Sequence, residues 1–373
     1  MGGTPIGWEA PDEATRCVLL NGRWQLEPGP LERADPAGCG VLRLAADRTT
    51  PGRVAVAKLE RPEPDRAAQS RARLRVEHAV LAGISDRRVV AALDGGLAPE
   101  TGGWYLILEH YPAGSLARLL RATTWFALDW ALEVAAETLR ALLALHESPR
   151  GPTVHRDVNP RNILVRDDTA EQPSLVLADF GLARDLGRSG ARPGRPAWAG
   201  AIGAEAAEAS ADLAGQPAYS PYYAPPELVL ADPPERSGVT TDLYQATALL
   251  YELVTGLPPY HWEVRAQGAC FERLVLDSPD GPLPASAVNP SLPRALDELL
   301  AAGLAPLPER RPGSARELLE RLPGLARRHG ELPIQFAALR GRGLAACGDA
   351  TGRPRAVRGG QAARGPARVG GRV

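Results

Sequence analysis

Two short segments narrow the folds open to this chain more than any other feature. VHRDVNPRNILV (Val154–Val165) and LVLADFGLAR (Leu175–Arg184) each set an aspartate beside β-branched or apolar residues, at the end of a short strand. Asp157 stands five residues before Asn162, and Asp179 precedes Phe180-Gly181. Two carboxylates and one amide on loops facing a common cleft suit oxygen coordination of Mg2+, which commonly keeps waters and substrate phosphates in its shell. Asp-Phe-Gly alone is a weak signal. The two segments in this order, downstream of a lysine-bearing strand, form a specific one.

That lysine is Lys58, at the end of the apolar alternation VAVAK (Val54–Lys58). Here composition sharpens the reading: of 43 Lys plus Arg residues only one is lysine. In a chain that uses arginine everywhere else, the exception points to a place that needs a compact ammonium rather than a broad planar guanidinium.

The organisation along the chain is that of an α+β protein with two lobes. Residues 1–22 read as an irregular leader. Residues 23–111 form a small antiparallel β-sheet lobe, with strands expected at Val41–Ala45, Arg53–Lys58, Val89–Leu93 and Trp104–Glu109 and one helix at Arg66–Ala82. Residues 112–328 form a larger, mainly helical lobe, with helices at Leu116–Arg121, Asp129–Glu147, Thr241–Thr255, Pro293–Leu304 and Ser314–Leu322. Residues 329–373 turn to Arg, Gly and Ala and read as a disordered tail. A ligand is expected in the cleft between the lobes. A net charge of −1 argues against a specific nucleic-acid partner. Cys17, Cys39, Cys270 and Cys347 are too scattered for a zinc site or a disulfide framework, which favours a reducing, cytoplasmic setting. No basic-then-apolar leader opens the chain, and no membrane span is expected.

Taken together, these motifs resemble the eukaryotic-type serine/threonine protein kinases, the Hanks type of bacteria, over about residues 23–325. The resemblance implies roles residue by residue. Lys58 matches the lysine on the α/β-phosphates of ATP, and Glu77 the helix glutamate that pairs with it. Asp157 would orient the acceptor hydroxyl and take its proton, while Asn162 and Asp179 hold Mg2+. Gly40 falls at a phosphate-loop glycine, and Leu42, Val56 and Leu164 would sandwich the adenine. Leu108 and Glu109 match the gatekeeper and first hinge residue, with Tyr111 just beyond, and Gly114-Ser115-Leu116 resembles the segment that follows. His155 is expected to pack with Phe180 and Leu81 in a column joining the lobes. YAPPE (Tyr223–Glu227), Thr241-Asp242 and Arg311 match three linked features, with Arg311 ion-paired to Glu227. The implied partners are proteins with Ser/Thr acceptors; homodimerisation is neither required nor excluded.

Departures from the pattern qualify the implied activity. In ADPAGCG (Ala34–Gly40), Asp35 and Ala37 stand where the family carries glycine, which implies weaker nucleotide binding, and Cys39 reads as plain packing. Asn159 replaces a lysine expected against the γ-phosphate, and Arg161 could supply the missing cation. Ser220 resembles the hydroxyl that contacts the catalytic aspartate in serine/threonine enzymes. Arg156, beside Asp157, implies control by phosphorylation of a long activation segment, with Ser189, Ser210, Tyr219 and Ser220 as candidates and Ser210 first. Two other readings compete. One is a pseudokinase scaffold, motivated by Asp35, Ala37 and Asn159. The other is a small-molecule phosphotransferase, a class that lacks the Tyr223–Glu227 segment.

Overall fold

The structure is a computed structural model and describes residues 18–29, 40–149, 151–167, 172–185, 220–230, 237–261, 263–264 and 271–341. Its first lobe is a six-stranded antiparallel sheet. In chain order the strands are β1 (Leu19–Leu20), β2 (Trp24–Leu26), β3 (Val41–Asp47), β4 (Val54–Leu59), β5 (Ala92–Leu97) and β6 (Trp104–Glu109), hydrogen-bonded side by side as β1-β2-β3-β4-β6-β5. The alternation in VAVAKL sorts the two faces, since successive side chains of a strand point to opposite sides. Ala55 and Ala57 face a compact cluster with Leu20, Trp24, Leu26, Ala45, Tyr105 and Ile107. Val56 and Lys58 face the other way. The register pairs Leu44 with Val56 and Val56 with Leu108, and pairs Leu42 with Lys58 and Lys58 with Leu106. The lysine thus stands on the same face as an apolar row.

Helix α1 (Pro64–Leu81) lies against that face and carries proline in its first turn, where no backbone donor is lost. Ser70, Leu74, Glu77 and Leu81 recur at helical spacing and are all buried, so Glu77 is carried inward on the apolar stripe. The expected strand Val89–Leu93 begins instead at Ala92. Val90 donates to Leu177 and Leu177 to Arg88, so the backbone around Val89 bridges to the second lobe rather than to β6.

The second lobe is built on α2 (Leu116–Ala122), β7 (Phe126–Ala127), α3 (Leu128–His146), β8 (Thr153–Val154), β9 (Ile163–Asp167), β10 (Ser174–Leu177), β11 (Arg184–Asp185), α4 (Pro226–Val229) and α5 (Val239–Thr255). It continues through α6 (Phe271–Asp277), α7 (Ala285–Val288), α8 (Arg294–Gly303), α9 (Ala315–His329), β12 (Pro333–Ile334) and α10 (Phe336–Gly341). From Thr241 to Thr255 every residue of α5 is buried, so this helix is the central post of the lobe. It ends at Gly256, whose φ of +85° supplies the left-handed cap. One continuous apolar core joins the lobes, from Leu74 and Leu106 through Phe180 to Leu249. Among the described residues no helix is long and apolar enough to cross a membrane.

Order reaches further at both ends than the composition suggests. Leu19–Leu20, inside the expected leader, pairs with β2 and buries Leu20 beside Trp24. Residues 329–341, expected to be disordered, form β12 and α10. β12 pairs with β7, and Phe336 is fully buried with its ring 5.5 Å from that of Phe126. Three apolar anchors, Ile334, Phe336 and Leu339, seat a segment whose average composition is unpromising.

Candidate active site

The loop from His155 to Asn162 is held from below by side chains of α5. Asp242, wholly buried, accepts the backbone N–H of His155 at 2.8 Å and of Arg156 at 2.7 Å, and meets His146 Nε2 at 2.8 Å. Gln245, one turn on, accepts from Val158 N at 2.9 Å and donates to Arg156 O at 2.8 Å. These bonds hold Arg156 at a φ of +70°, a conformation that costs a non-glycine residue about 1–3 kcal/mol and persists only where its surroundings enforce it. His155 packs edge-on against Phe180 with ring centres 4.7 Å apart, and its Nε2 meets Ala178 O at 3.1 Å. Its packing is that of a spacer between the loop and the aspartate segment.

Held in this way, the loop presents Asp157. Asn162 donates from Nδ2 to Asp157 Oδ2 at 2.7 Å and to Asp157 O at 2.9 Å. Asn159 is 2% exposed and sits at the centre of a small network. Its Nδ2 reaches Asp157 Oδ1 at 3.1 Å and Ser220 Oγ at 3.0 Å, while its Oδ1 accepts the backbone N–H of Arg161 at 2.9 Å. Ser220 also donates its own backbone N–H to Asp157 Oδ1 at 3.2 Å. Asn159 therefore ties the His155–Asn162 loop to Ser220, a job for an amide that both donates and accepts. Burial raises the Asp157 carboxyl above its ordinary range, and hydrogen bonding to Ser220 opposes the rise.

Lys58 closes the site from the sheet side. Its Nζ lies 2.7 Å from Glu77 Oε2 and 2.8 Å from Asp179 Oδ1, joining strand, helix and Asp-Phe-Gly segment in one cluster. Phe180 N donates to Glu77 Oε1 at 3.3 Å, and Asp179 holds a φ of +64°. Burial pushes Glu77 upward despite the nearby ammonium. At Asp179 burial also acts upward, but the charge and hydrogen bond of Lys58 outweigh it and hold this carboxyl below its usual value. The Glu77 side chain is fully buried, whereas that of Asp179 keeps 36% of its surface open.

The residues expected to line the adenine site fall on neighbouring strands. Leu42 and Val56 are partly buried on the Lys58 face, Leu108 is buried opposite Val56, and Leu164 lies on β9, bridged to Ser115. The Tyr111 phenol donates to Glu109 Oε2 at 2.6 Å, stiffening the stretch between the lobes. At Gly40 any side chain would meet Leu59 O at 2.6 Å and Lys58 Cγ at 3.2 Å, so glycine is required there by close backbone approach. Asp35, Ala37 and Cys39, and the hydroxyl candidates Ser189, Ser210 and Tyr219, lie outside the described residues. Of the carry-overs farther from the cleft, Glu227 and Arg311 form a two-pronged pair at 2.6 and 2.8 Å.

Sequence reasoning missed the supports. It noted Asp242 only as half of a two-residue motif and passed over Gln245, His146 and Glu252. The available signal was polar residues at Asp242, Gln245 and Glu252 within an otherwise apolar helix, a pattern that in a buried helix demands partners.

The donor set fits a hard cation. Asn162 commits its amide nitrogen to Asp157, so its oxygen is the atom a cation would take, together with the open carboxylate of Asp179, whose neighbour Ala178 donates its backbone N–H to Asn162 O. Residues 38–321 match the family model described as protein kinase domain. The chain is 31% identical over 236 residues to the serine/threonine-protein kinase PknL of Mycobacterium tuberculosis, covering 62% of this chain and 49% of that protein. It is 27% identical over 283 residues to the serine/threonine-protein kinase PknB of the same species, covering 75% and 40%. A probable serine/threonine-protein kinase of Streptomyces coelicolor is 28% identical over 301 residues, covering 80% and 39%. The chain thus spans half or less of the length of these relatives.

Proposed function

Because the chain belongs to the protein kinase domain family, we propose that it is an active ATP-dependent kinase that phosphorylates serine and threonine hydroxyls of protein substrates. The observation that carries this reading is Lys58 Nζ bonded at once to Glu77 and Asp179. Parts from the strand, helix and loop are assembled in the arrangement phosphoryl transfer needs, where positioning and charge neutralisation do most of the work. Lys58 neutralises phosphate oxygens, and Glu77 fixes the lysine. Asn162 and Asp179 would hold Mg2+, which when bound screens the phosphate charge. Asp157 orients the acceptor hydroxyl and takes its proton as the acceptor oxygen bonds to the γ-phosphorus and the bond from that phosphorus to the bridging oxygen of the departing ADP breaks; its raised pKa makes it a better proton acceptor than an ordinary aspartate. Leu42, Val56, Leu108 and Leu164 would enclose the adenine, with Gly40, Glu109 and Tyr111 at the edges of that pocket. Arg161 takes over the cationic role left by Asn159.

Serine or threonine preference is supported by Ser220, tied to Asp157 directly and through Asn159, and by the names of the relatives. Regulation by phosphorylation is supported by Arg156. Its Nε is closed off from solvent without a hydrogen-bond partner among the described residues. Burial, with Arg184 nearby, holds the guanidinium below its ordinary pKa. A phosphoryl group on the activation segment would supply the missing acceptor.

Transfer of labelled phosphate from ATP to a generic basic protein tests the reading. Transfer is expected from the wild type and should fall about 10²–10⁴-fold in Asp157→Asn. Nucleotide binding without transfer would instead establish the scaffold.

A further inference from the structure

We propose that Asn159 is a positioning residue for phosphate transfer: together with Ser220 it occupies Asp157 Oδ1 and so leaves Asp157 Oδ2 as the atom that takes the acceptor proton. This inference rests on the kinase reading above and assigns, within it, one reacting atom and its support. The donors around the carboxylate can be counted. Oδ1 accepts from Asn159 Nδ2 at 3.1 Å and from the Ser220 backbone N–H at 3.2 Å. Among the described residues, Oδ2 accepts only from Asn162 Nδ2, at 2.7 Å. An ionised carboxylate offers about four lone-pair sites, two on each oxygen. Oδ1 is therefore full, and one site on Oδ2 is open. Asp157 itself is partly exposed, so a hydroxyl can approach it. At Oδ2 the acceptor O–H gives up its proton as its oxygen bonds to the γ-phosphorus and the bond from that phosphorus to the departing ADP breaks.

The orientation of the Asn159 amide is fixed by its oxygen. Oδ1 meets the backbone N–H of Arg161 at 2.9 Å, and that group can only donate, so the amide nitrogen faces Asp157. This bond and the one from Asn162 N to Asn159 O at 3.0 Å close a tight turn over residues 159–162, with Pro160 at its first corner. The turn delivers Asn162 to Oδ2. One side chain thus fills the first carboxylate oxygen and places the group that holds the second. The amide nitrogen also donates to Ser220 Oγ at 3.0 Å, so its two hydrogens are shared among Ser220 Oγ, Asp157 Oδ1 and Asp157 O.

At a position only 2% exposed, this combination of bonds is specific to a short amide. Lysine, which the family resemblance leads one to expect here, has three donors and no acceptor, and would leave the Arg161 N–H unpaired. Aspartate accepts but cannot donate, and would set a second carboxylate against the first. Leucine has the shape and neither function. Every bond in the network joins groups of the protein itself, so the carboxylate is oriented ahead of the reaction, which is how positioning lowers a barrier.

The test is steady-state kinetics on the full chain, with ATP and a serine peptide varied separately. Asn159→Leu should lower kcat about 10- to 100-fold and leave KM for ATP within about 2-fold, since orientation is lost and phosphate binding is not. If thermal unfolding shows that variant to be misfolded, Asn159→Ala takes its place. Asn159→Lys should remain at least about 5-fold below the wild type in kcat, with no fall in KM for ATP. Ser220→Ala should cost about 3- to 10-fold, and Asn159→Leu combined with Ser220→Ala should lose less than the product of the two, because they share a bond. An Asn159→Lys enzyme that matches or exceeds the wild type, or that binds ATP more tightly, would mark the position as a weakened phosphate contact and overturn the proposal. Wild-type kcat in Asn159→Leu, or losses that simply multiply, would overturn it as well, and each of these results leaves the kinase reading intact. A folded wild type that transfers no phosphate sinks both.

Discussion

Two buried ionic clusters in this molecule look alike in distance and differ in what they leave undone. Around Arg311, both charges are shut away, with 0% of the arginine and 3% of the Glu227 side chain exposed. Every direction is used: the guanidinium bonds Glu227 twice and the carbonyls of Thr240, Ala305 and Pro306, while Thr241 donates to Glu227. Around Lys58, one ammonium faces two carboxylates, and Asp179 remains 36% open to the cleft. The first cluster is balanced and complete, so it fastens the end of the activation segment to the lobe. The second carries an excess of negative charge on its open side, which a cation can satisfy. A saturated buried pair marks structure, and an unsaturated one marks a site.

The sharpest way to break this comparison is to remove each cation in turn. Lys58→Met should lower phosphate transfer by about 10²–10³-fold, since a preorganised charge is lost from the reacting group. It should also lower stability, but by less than the loss at Arg311, because burial already favours the protonated form of Glu77 and Asp179 stays open to the cleft. A Lys58 variant that keeps its activity would dissolve the distinction. Arg311→Ala should act chiefly on the fold and destabilise it by about 3–5 kcal/mol in denaturant titration, because Glu227 is left buried and unpaired.

A third buried acid sharpens the contrast by forming no salt bridge among the described residues. Glu252 titrates at about 7 in the fold, above its ordinary 4.5, because burial disfavours the anion. A folded-state value raised in this way means the folded form binds the proton more tightly. Its contribution is complete below pH 4.5 and is lost as pH rises to about 7. Wild type should therefore lose on the order of 2–3 kcal/mol of stability across that window relative to Glu252→Gln, whose profile there should be flatter. Denaturant midpoints at matched pH values would show it. The smallest effect is expected at Gly256→Ala, where φ is +85° and the new methyl meets Leu339 Cβ at 2.9 Å. A loss of about 1–2 kcal/mol, with faster amide exchange confined to α10, is the expected outcome.

The site residues differ in how far the sequence revealed them. Lys58, Asp157, Asn162 and Asp179 stand in short segments whose chemistry is local: a strand, a turn and a carboxylate within a few residues. Helix α1 was readable for the same reason, since Leu74, Glu77 and Leu81 repeat at helical spacing. Asp242, Gln245 and Glu252 were not. Asp242 holds His155, 87 residues away, and Glu252 holds Tyr223, 29 residues away, and no periodicity reports such a bond. Asn159 has a role that its place in the sequence does not report. As a substitute for a lysine it looked like a deficit, whereas in place it is a hydrogen-bond junction between two loops. The order of the C-terminal segment is hidden by an average over Arg, Gly and Ala, which conceals three buried apolar residues, Ile334, Phe336 and Leu339.

By itself, the order of residues determined the elements, the two-lobed class and which side chains could carry the reaction, because pleat, helix repeat and motif spacing act over a few residues. Only the tertiary structure decided that Lys58 meets both acids, that α5 holds the His155–Asn162 loop in its strained shape, and that β12 and α10 seat against β7 and the end of α5. Those are contacts between distant stretches of chain, set by how buried surfaces pack and by the need of every buried charge for a partner.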